Sequence, residues 1–446
     1  MYLTVEIFHS GQWFPAASLE LIDPKLGRLS PVRLVYQQNY ALDWMFSDDE
    51  HACSLNLPVE LMMTHDSRHW FGFLDDIAPS GAGRRYWIDH LGLGNLPQAE
   101  QDTLLLQKGS IAPVGNLRIR EALPQKPERL TQHRFSPQDV IERQIDFLEY
   151  AQEMGAVSGG ATGAAGEAPK LLIRCSDKDE VWIDTWQDEV DNLDQHYLVK
   201  FPRGKASDRD ADILRAEFHF YHELTALGID TIDTSKMQLH EGSRYPSLWL
   251  PRFDVRYETG RVEHFGLESV FSLLDKAPGS NLNHFDVLRS LVSKLNKQYR
   301  VTELGSTFDQ QRFVAQWLER DLLNLIFGNS DNHGRNTALI KRPEGIWLAP
   351  VYDFAPMKVD PEEVLRTMKW GSPYEQAGDL DWQAIVDQLS DLADSNLLMQ
   401  VLRVLAAKLV GLKDRLLARG VSESLLAIPA LGMNSIDKRL QLWGLL

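Results

Sequence analysis

Apolar positions fall into two kinds of run along the chain. Short runs with strand character, such as LTVEIF (3–8) and VRLVY (32–36), alternate with turn-rich pieces over residues 1–121. That mixture predicts a small domain of strands and helices. Residues 122–136, ALPQKPERLTQHRFS, carry two prolines and no periodic apolar pattern, and read as a linker. Ser136-Pro137 then supplies a capping hydroxyl followed by proline at the first helical position. Ile141, Ile145 and Leu148 recur at helical spacing, so a helix is expected to run on from there.

The second stretch repeats the strand pattern and then changes to helices. Leu171-Leu172-Ile173, HYLVKF (196–201) and SLWLPRF (247–253) read as strands. Between the last two lies a helix, RAEFHFYHELTALG (215–228), which Gly228 closes. From about residue 262 the pattern is mostly helical, including FVAQWLERDLLNLIFG (313–328) and one long run, LLMQVLRVLAAKLVGLKDRLLARG (397–420). The order is a small domain, a strand-rich segment, then a helical half.

Composition narrows the class. At roughly 150 residues per domain, 446 residues imply two or three domains, and a 43% hydrophobic share supplies their cores. No stretch approaches 18 uninterrupted apolar residues, and MYLTVEIFHSGQWF lacks the charged-then-apolar layout of a secretory signal. No membrane association is expected. Cys53 and Cys175 are the only cysteines, which fits a reduced, cytoplasmic protein. A net charge of −17 repels a phosphate backbone, so direct nucleic-acid binding is not expected.

The candidate chemistry sits in GNSDNHGRN (328–336) and VYDFAP (351–356). Asp331 and Asn336 have the D-x-x-x-x-N spacing of a kinase catalytic loop. Phosphoryl transfer needs a carboxylate near the attacking hydroxyl and oxygen ligands for magnesium. Asp331 suits the first task, and Asn336 with Asp353 the second. Taken alone, that spacing more often marks residues that cap turns, and Asp353 downstream is what brings the catalytic reading level with it. Upstream, residues 155–173 hold a glycine-rich stretch, including Gly163 and Gly166, whose backbone could approach phosphates closely. A flexible Gly/Ala linker fits the same composition. Lys200 on its strand is placed to hold phosphates, and Glu217 on the following helix to fix Lys200. Glycine loop, lysine strand, glutamate helix, Asp…Asn loop and aspartate follow in kinase order. His333, between Asp331 and Asp353, also admits a metal-dependent phosphohydrolase.

These segments resemble the HipA family of bacterial serine/threonine kinases, toxins of toxin–antitoxin pairs. WFGFLDDIAPSGAGRRYWIDHLG (70–92) and LLLQKGSIAPVGNLRI (104–119) are similar to the family's N-terminal subdomain. GEAPKLLI (166–173) resembles its G-x-x-P-K stretch, YLVKFP (197–202) its lysine strand, and AEFHFYHELTALGI (216–229) its glutamate helix. LPRFD (250–254) resembles its hinge, and GNSDNHGRN with YDFAP its catalytic and metal-binding motifs. The resemblance implies an α+β, two-lobed protein-kinase-like fold with an additional small N-terminal α/β subdomain and a mostly helical C-terminal lobe. The corresponding divisions are an N-terminal subdomain (1–121), the linker (122–136), a nucleotide-binding lobe (137–260) and a helical catalytic lobe (261–446).

The same resemblance makes ATP and Mg²⁺ the cofactors and assigns the roles. Asp331 becomes the catalytic base, Asn336 and Asp353 the metal ligands, and Lys200, Glu217, Gly163 and Gly166 parts of the ATP site. Phe253 and Asp254 fall near adenine and ribose. It also implies growth inhibition by phosphorylating a cellular protein, such as an aminoacyl-tRNA synthetase or another translation component, and a helix-turn-helix antitoxin as partner. One departure stands out. Where family members often carry an autophosphorylated serine, this chain reads GAAG (163–166), leaving Ser158 and Thr162 as the nearest hydroxyls. The acidic stretch 177–195 has no assigned role. A nucleotide-binding regulatory module without turnover is the non-enzymatic alternative.

Overall fold

The first strand, Tyr2–His9, buries Leu3, Val5 and Ile7 on one face and Glu6 and Phe8 on the other. A two-residue turn with positive φ at Ser10 (52°) and Gly11 (77°) reverses the chain into Gln12–Leu21. Pairing shifts register between Val5 and Glu6, opposite Pro15, so the proline sits at an irregularity where a missing N–H is tolerated. Val32–Tyr36, His65–Ser67 and Leu117–Ile119 complete a five-stranded antiparallel sheet in the order 65–67, 32–36, 12–21, 2–9, 117–119. The computed structural model describes residues 1–124, 133–153, 169–183, 185–187, 190–258, 260–298, 308–376 and 378–446.

The strands expected at 171–173, 196–201 and 247–253 form Lys170–Cys175, Gln195–Lys200 and Pro246–Pro251, adjacent in a second five-stranded antiparallel sheet. The helix expected at 215–228 is longer. It runs Asp208–Leu227, because Ser207 and Asp210 form a reciprocal capping box at its start, and Gly228 closes it at φ 82°.

Three expectations are corrected. The helix opened by Ser136-Pro137 has its capping box but lasts only Pro137–Ile141; Arg143 takes φ 52° and a second helix, Ile145–Glu153, begins. Ile145 is 71% exposed, so the apolar spacing across the break does not mark one buried stripe. The long run at 397–420 breaks at Gly411 (φ 71°) into Ser395–Leu409 and Leu412–Arg419, bent by 51°. Both halves bury leucines, and among the described residues no single helix is long and apolar enough to cross a membrane. Finally, the stretch after 262 is not mostly helical throughout. Gly266–Ser269, Ala338–Arg342 and Gly345–Leu348 form a three-stranded sheet whose hairpin turns at Pro343-Glu344.

The described residues group into two compact units, each assembled from three segments. Met1–Gly204, Lys236–Pro278 and Ala338–Ala349 carry the three sheets named above. Lys205–Ser235, Gly279–Thr337 and Pro350–Leu446 form a mainly helical unit. The linear divisions expected from the sequence thus interleave in space. The 205–235 stretch joins the helical unit, and 338–349 lends strands to the other.

Candidate functional site

Everything that follows up to Lys200 lies in the helical unit. The Gln310–Phe327 helix ends at Gly328, with φ 72°, and a Cβ there would sit 2.6 Å from Leu431 Cδ2. The left-handed backbone conformation is what favours glycine here. Asn329 then folds back onto the helix end. Its amide donates to the Asn324 carbonyl at 2.9 Å and its Nδ2 to Asn324 Oδ1 at 2.8 Å. Asn329 Oδ1 in turn accepts from the Asp331 amide at 3.3 Å.

The five-residue spacing between Asp331 and Asn336 closes a loop. Asn336 Nδ2 donates to the Asp331 carbonyl at 2.9 Å, while Asn336 Oδ1 is buried without a hydrogen-bond partner. An amide oxygen left so is costly in a finished structure, and is in order where a cation completes it. The Asp331 and His333 side chains are each 22% exposed, with Nε2 of the imidazole 3.5 Å from Oδ1 of the carboxylate.

Two tyrosine hydroxyls bring the other candidates to this loop. Tyr352 donates to the Arg335 carbonyl at 2.7 Å, so Asn336 and Asp353 each follow immediately after one end of that bond. Tyr221, on the 208–227 helix, donates to Glu217 Oε1 at 3.1 Å and accepts from the Phe354 amide at 3.3 Å. Burial, with the charges of Glu217 and Asp353 beside it, pushes the Tyr221 hydroxyl well above the usual phenol range, so it stays a donor. Val351 is fastened to the end of the same helix through its amide to the Asp230 carbonyl (2.9 Å) and through Thr231 Oγ1 to its carbonyl (2.9 Å). Asp353 itself is half-buried and takes φ 51°, a left-handed conformation that costs a non-glycine residue on the order of 1–3 kcal/mol. Strain of that kind persists where the surroundings over-determine it.

Glu217, Asp331, Asn336 and Asp353 are therefore assembled within one unit by a chain of hydrogen bonds. A pocket of about 490 Å³, counted with the solvent space it opens into, is lined by Asn329, Asn332, Asn336, Thr337, Tyr352 and Phe354 among others. Asn336 Oδ1 and the Asp353 carboxylate are hard oxygen donors of the type Mg²⁺ takes, and the orphaned Oδ1 fits that use.

Lys200, Phe253 and Asp254 belong to the sheet-bearing unit. Lys200 is 3% exposed and lies directly across the sheet from Lys170, so the two side chains share a face. Phe253 is partly exposed. Asp254 is placed differently from a ribose-contacting residue. It is 1% exposed, its Oδ1 accepts from Arg252 Nε at 3.1 Å, and its Oδ2 accepts from Arg252 Nη2 at 2.5 Å and from the Gly115 amide at 2.7 Å. Burial works to raise this carboxyl, and the Arg252 charge and hydrogen bonds outweigh it, holding it below the usual carboxylate range. The geometry ties the 252–254 segment to the N-terminal subdomain. Gly163, Gly166, Ser158 and Thr162 lie outside the described residues.

The sequence reading missed the linking tyrosines. A signal was present, since Tyr221 stands four residues after Glu217 on one helical face and Tyr352 adjoins Asp353.

Buried histidines around Asp254 and in the N-terminal sheet give the protein an acid limit. Burial, reinforced by Arg252, pushes His264 down to about 3, and burial with His51 alongside pushes His9 down to about 4. Above the unfolded value of about 6.5 both states hold neutral rings and stability is flat. Below it the unfolded chain takes up protons that the folded chain refuses. Each ring is then expected to remove about 1.4 kcal/mol per pH unit down to its folded value. Urea unfolding midpoints should fall between about pH 6.5 and pH 4.5; a flat profile there contradicts the assignment.

The family described as a HipA-like C-terminal domain matches residues 162–410, more than half of the chain. HipA of Shewanella oneidensis MR-1, solved with HipB and its operator DNA, superposes with a TM-score of 0.66 at 16% identity, over 99% of this chain and 97% of that one. The Helicobacter pylori proinflammatory kinase CtkA gives a TM-score of 0.35 at 13% identity, over 62% of this chain and 88% of that one, a likeness too low to build on. No curated protein matches the chain. The fold is thus the α+β fold of the Shewanella HipA structure.

Proposed function

The chain belongs to the family with a HipA-like C-terminal domain, and on that premise we propose that it is an ATP- and Mg²⁺-dependent protein kinase acting on serine or threonine. The observation that carries the reading is Asn336. Its Nδ2 is committed to the loop while its Oδ1 is buried and unpartnered, and a strained Asp353 follows Tyr352, whose hydroxyl bonds the Arg335 carbonyl. That is the arrangement expected of a preformed pair of metal ligands.

In this reading the Asp331 carboxylate receives the proton of the attacking hydroxyl as that oxygen bonds to the γ-phosphorus and the bond to the leaving ADP oxygen breaks. Mg²⁺, when bound, supplies positive charge to the phosphate oxygens. Lys200 adds its ammonium to the phosphates, and Glu217, held by Tyr221, belongs to the same machinery. Phe253 packs against the base, whereas Asp254 fixes the strap that carries Phe253. Gly163 and Gly166 are assigned to the phosphate loop, with Ser158 and Thr162 as its autophosphorylation candidates.

We further assign a cytoplasmic setting, a protein substrate in the translation machinery such as an aminoacyl-tRNA synthetase, and a helix-turn-helix antitoxin as partner. The Shewanella HipA complex, which holds HipB and operator DNA, supports the last of these.

Asn336→Ala tests the ligand assignment. The Mg²⁺ concentration for half-maximal phosphate transfer is expected to rise at least roughly tenfold, the scale of a lost ligand interaction. Stability should fall by only about 1 kcal/mol, the worth of the Nδ2 bond. An unchanged Mg²⁺ requirement removes Asn336 from the metal site.

A further inference from the structure

We infer that His333 is a positioning residue that fixes the Asp331 carboxylate and the Asn336 backbone in one turn; the inference deepens the kinase reading and rests on it. His333 Nδ1 lies 3.2 Å from the Arg335 amide nitrogen and 3.3 Å from that of Asn336. Backbone amides only donate, so Nδ1 is the bare, accepting nitrogen, and the neutral ring carries its proton on Nε2. Nε2 is the atom 3.5 Å from Asp331 Oδ1. The tautomer is therefore set from one side of the ring, and the N–H is presented to the carboxylate on the other.

The backbone of His333 adds a second hold, since its carbonyl accepts from the Asn336 amide at 3.0 Å. One residue thus meets the proposed base through its ring edge and the proposed metal ligand through both ring and carbonyl. A separation of 3.5 Å is long for a charge-assisted bond, and such contacts tighten when substrate closes the site. In the kinase reading, the carboxylate oxygen that meets the substrate hydroxyl is thereby fixed in direction. A base whose rotation is restrained delivers that oxygen without searching for it, which is a gain in turnover rather than in nucleotide affinity.

Two substitutions separate the ring's two contacts. In His333→Asn the short side chain can still accept from the 335 and 336 amides, but it falls short of Asp331. In His333→Gln the longer side chain can carry an N–H toward Asp331.

For His333→Asn, kcat is expected to fall roughly 10- to 100-fold, the scale of one lost hydrogen bond to a charged group. KM for ATP and the melting temperature should stay near the parent values. His333→Gln should recover a substantial part of kcat. Nitrogen-15 NMR of the parent ring provides a readout that needs no activity, with Nδ1 expected bare and Nε2 protonated. The reversed tautomer overturns the inference, as does a parental kcat in His333→Asn or a joint collapse of kcat, KM and melting temperature. A parent protein that binds ATP and Mg²⁺ but transfers no phosphate overturns the kinase reading itself, and the positioning role with it, even with the tautomer as inferred.

Discussion

Asp331→Asn is expected to lower phosphoryl transfer by on the order of 10³-fold while leaving ATP binding and thermal unfolding near the parent values. The carboxamide keeps the size of the side chain but cannot take up the proton of an attacking hydroxyl. Loop geometry should survive the change, because the Asp331 groups that shape the turn are its amide, bonded to Asn329 Oδ1, and its carbonyl, bonded to Asn336 Nδ2. The side chain is also partly open to solvent, so little packing is lost. Single-turnover transfer from ATP, with nucleotide affinity measured in parallel, checks both halves. A variant that retains parental transfer means that Asp331 is not the base.

The second large effect is on stability, at the helix that presents the loop. Asp321 lies inside the 310–327 helix, 1% exposed, and its oxygens meet Arg366 Nη2 at 3.0 Å and Trp370 Nε1 at 2.8 Å. His284 Nε2 stands 3.4 Å away, with its other nitrogen accepting from Trp317 Nε1 at 2.9 Å. Burial alone would raise this carboxyl, but Arg366 and His284 overcome it and hold it below the usual carboxylate range. Asp321→Ala leaves the guanidinium of Arg366, itself 8% exposed, with Glu375 as its remaining described carboxylate, and leaves the Trp370 ring N–H without its acceptor. Removing one side of a buried ion pair costs about 3–5 kcal/mol, and a shift of that size in urea unfolding is expected here. A change below about 1 kcal/mol would mean that the network rearranges without it.

The sequence made several local elements and the turn between Asp331 and Asn336 legible because both are short-range. Gly228 marked the end of the 208–227 helix, although its start at Ser207 went unread, and the D-x-x-x-x-N spacing of Asp331 and Asn336 does close a hydrogen-bonded turn. Two kinds of feature were not legible. Helix breaks at Arg143 and Gly411 interrupt apolar spacing that continues across them, so periodicity alone joins what the backbone separates. Long-range assembly was hidden too. Nothing in the spacing says that 205–235 packs with residues beyond 350, yet this is what brings Tyr221 to Phe354 and Glu217 toward Asp353. Asp254 shows the same limit from the other side, since only the fold reveals Arg252 and Gly115 holding its carboxylate.

The most direct test of the kinase reading is incubation of the full chain with γ-labelled ATP and Mg²⁺ in a cell lysate, beside Asp331→Asn. The expected result is label on a lysate protein in the parent reaction and none in the variant, which would also deliver the substrate for identification. Labelled free phosphate with no labelled protein in the parent reaction would contradict it, and would assign the Asp331, His333 and Asp353 cluster to hydrolysis instead.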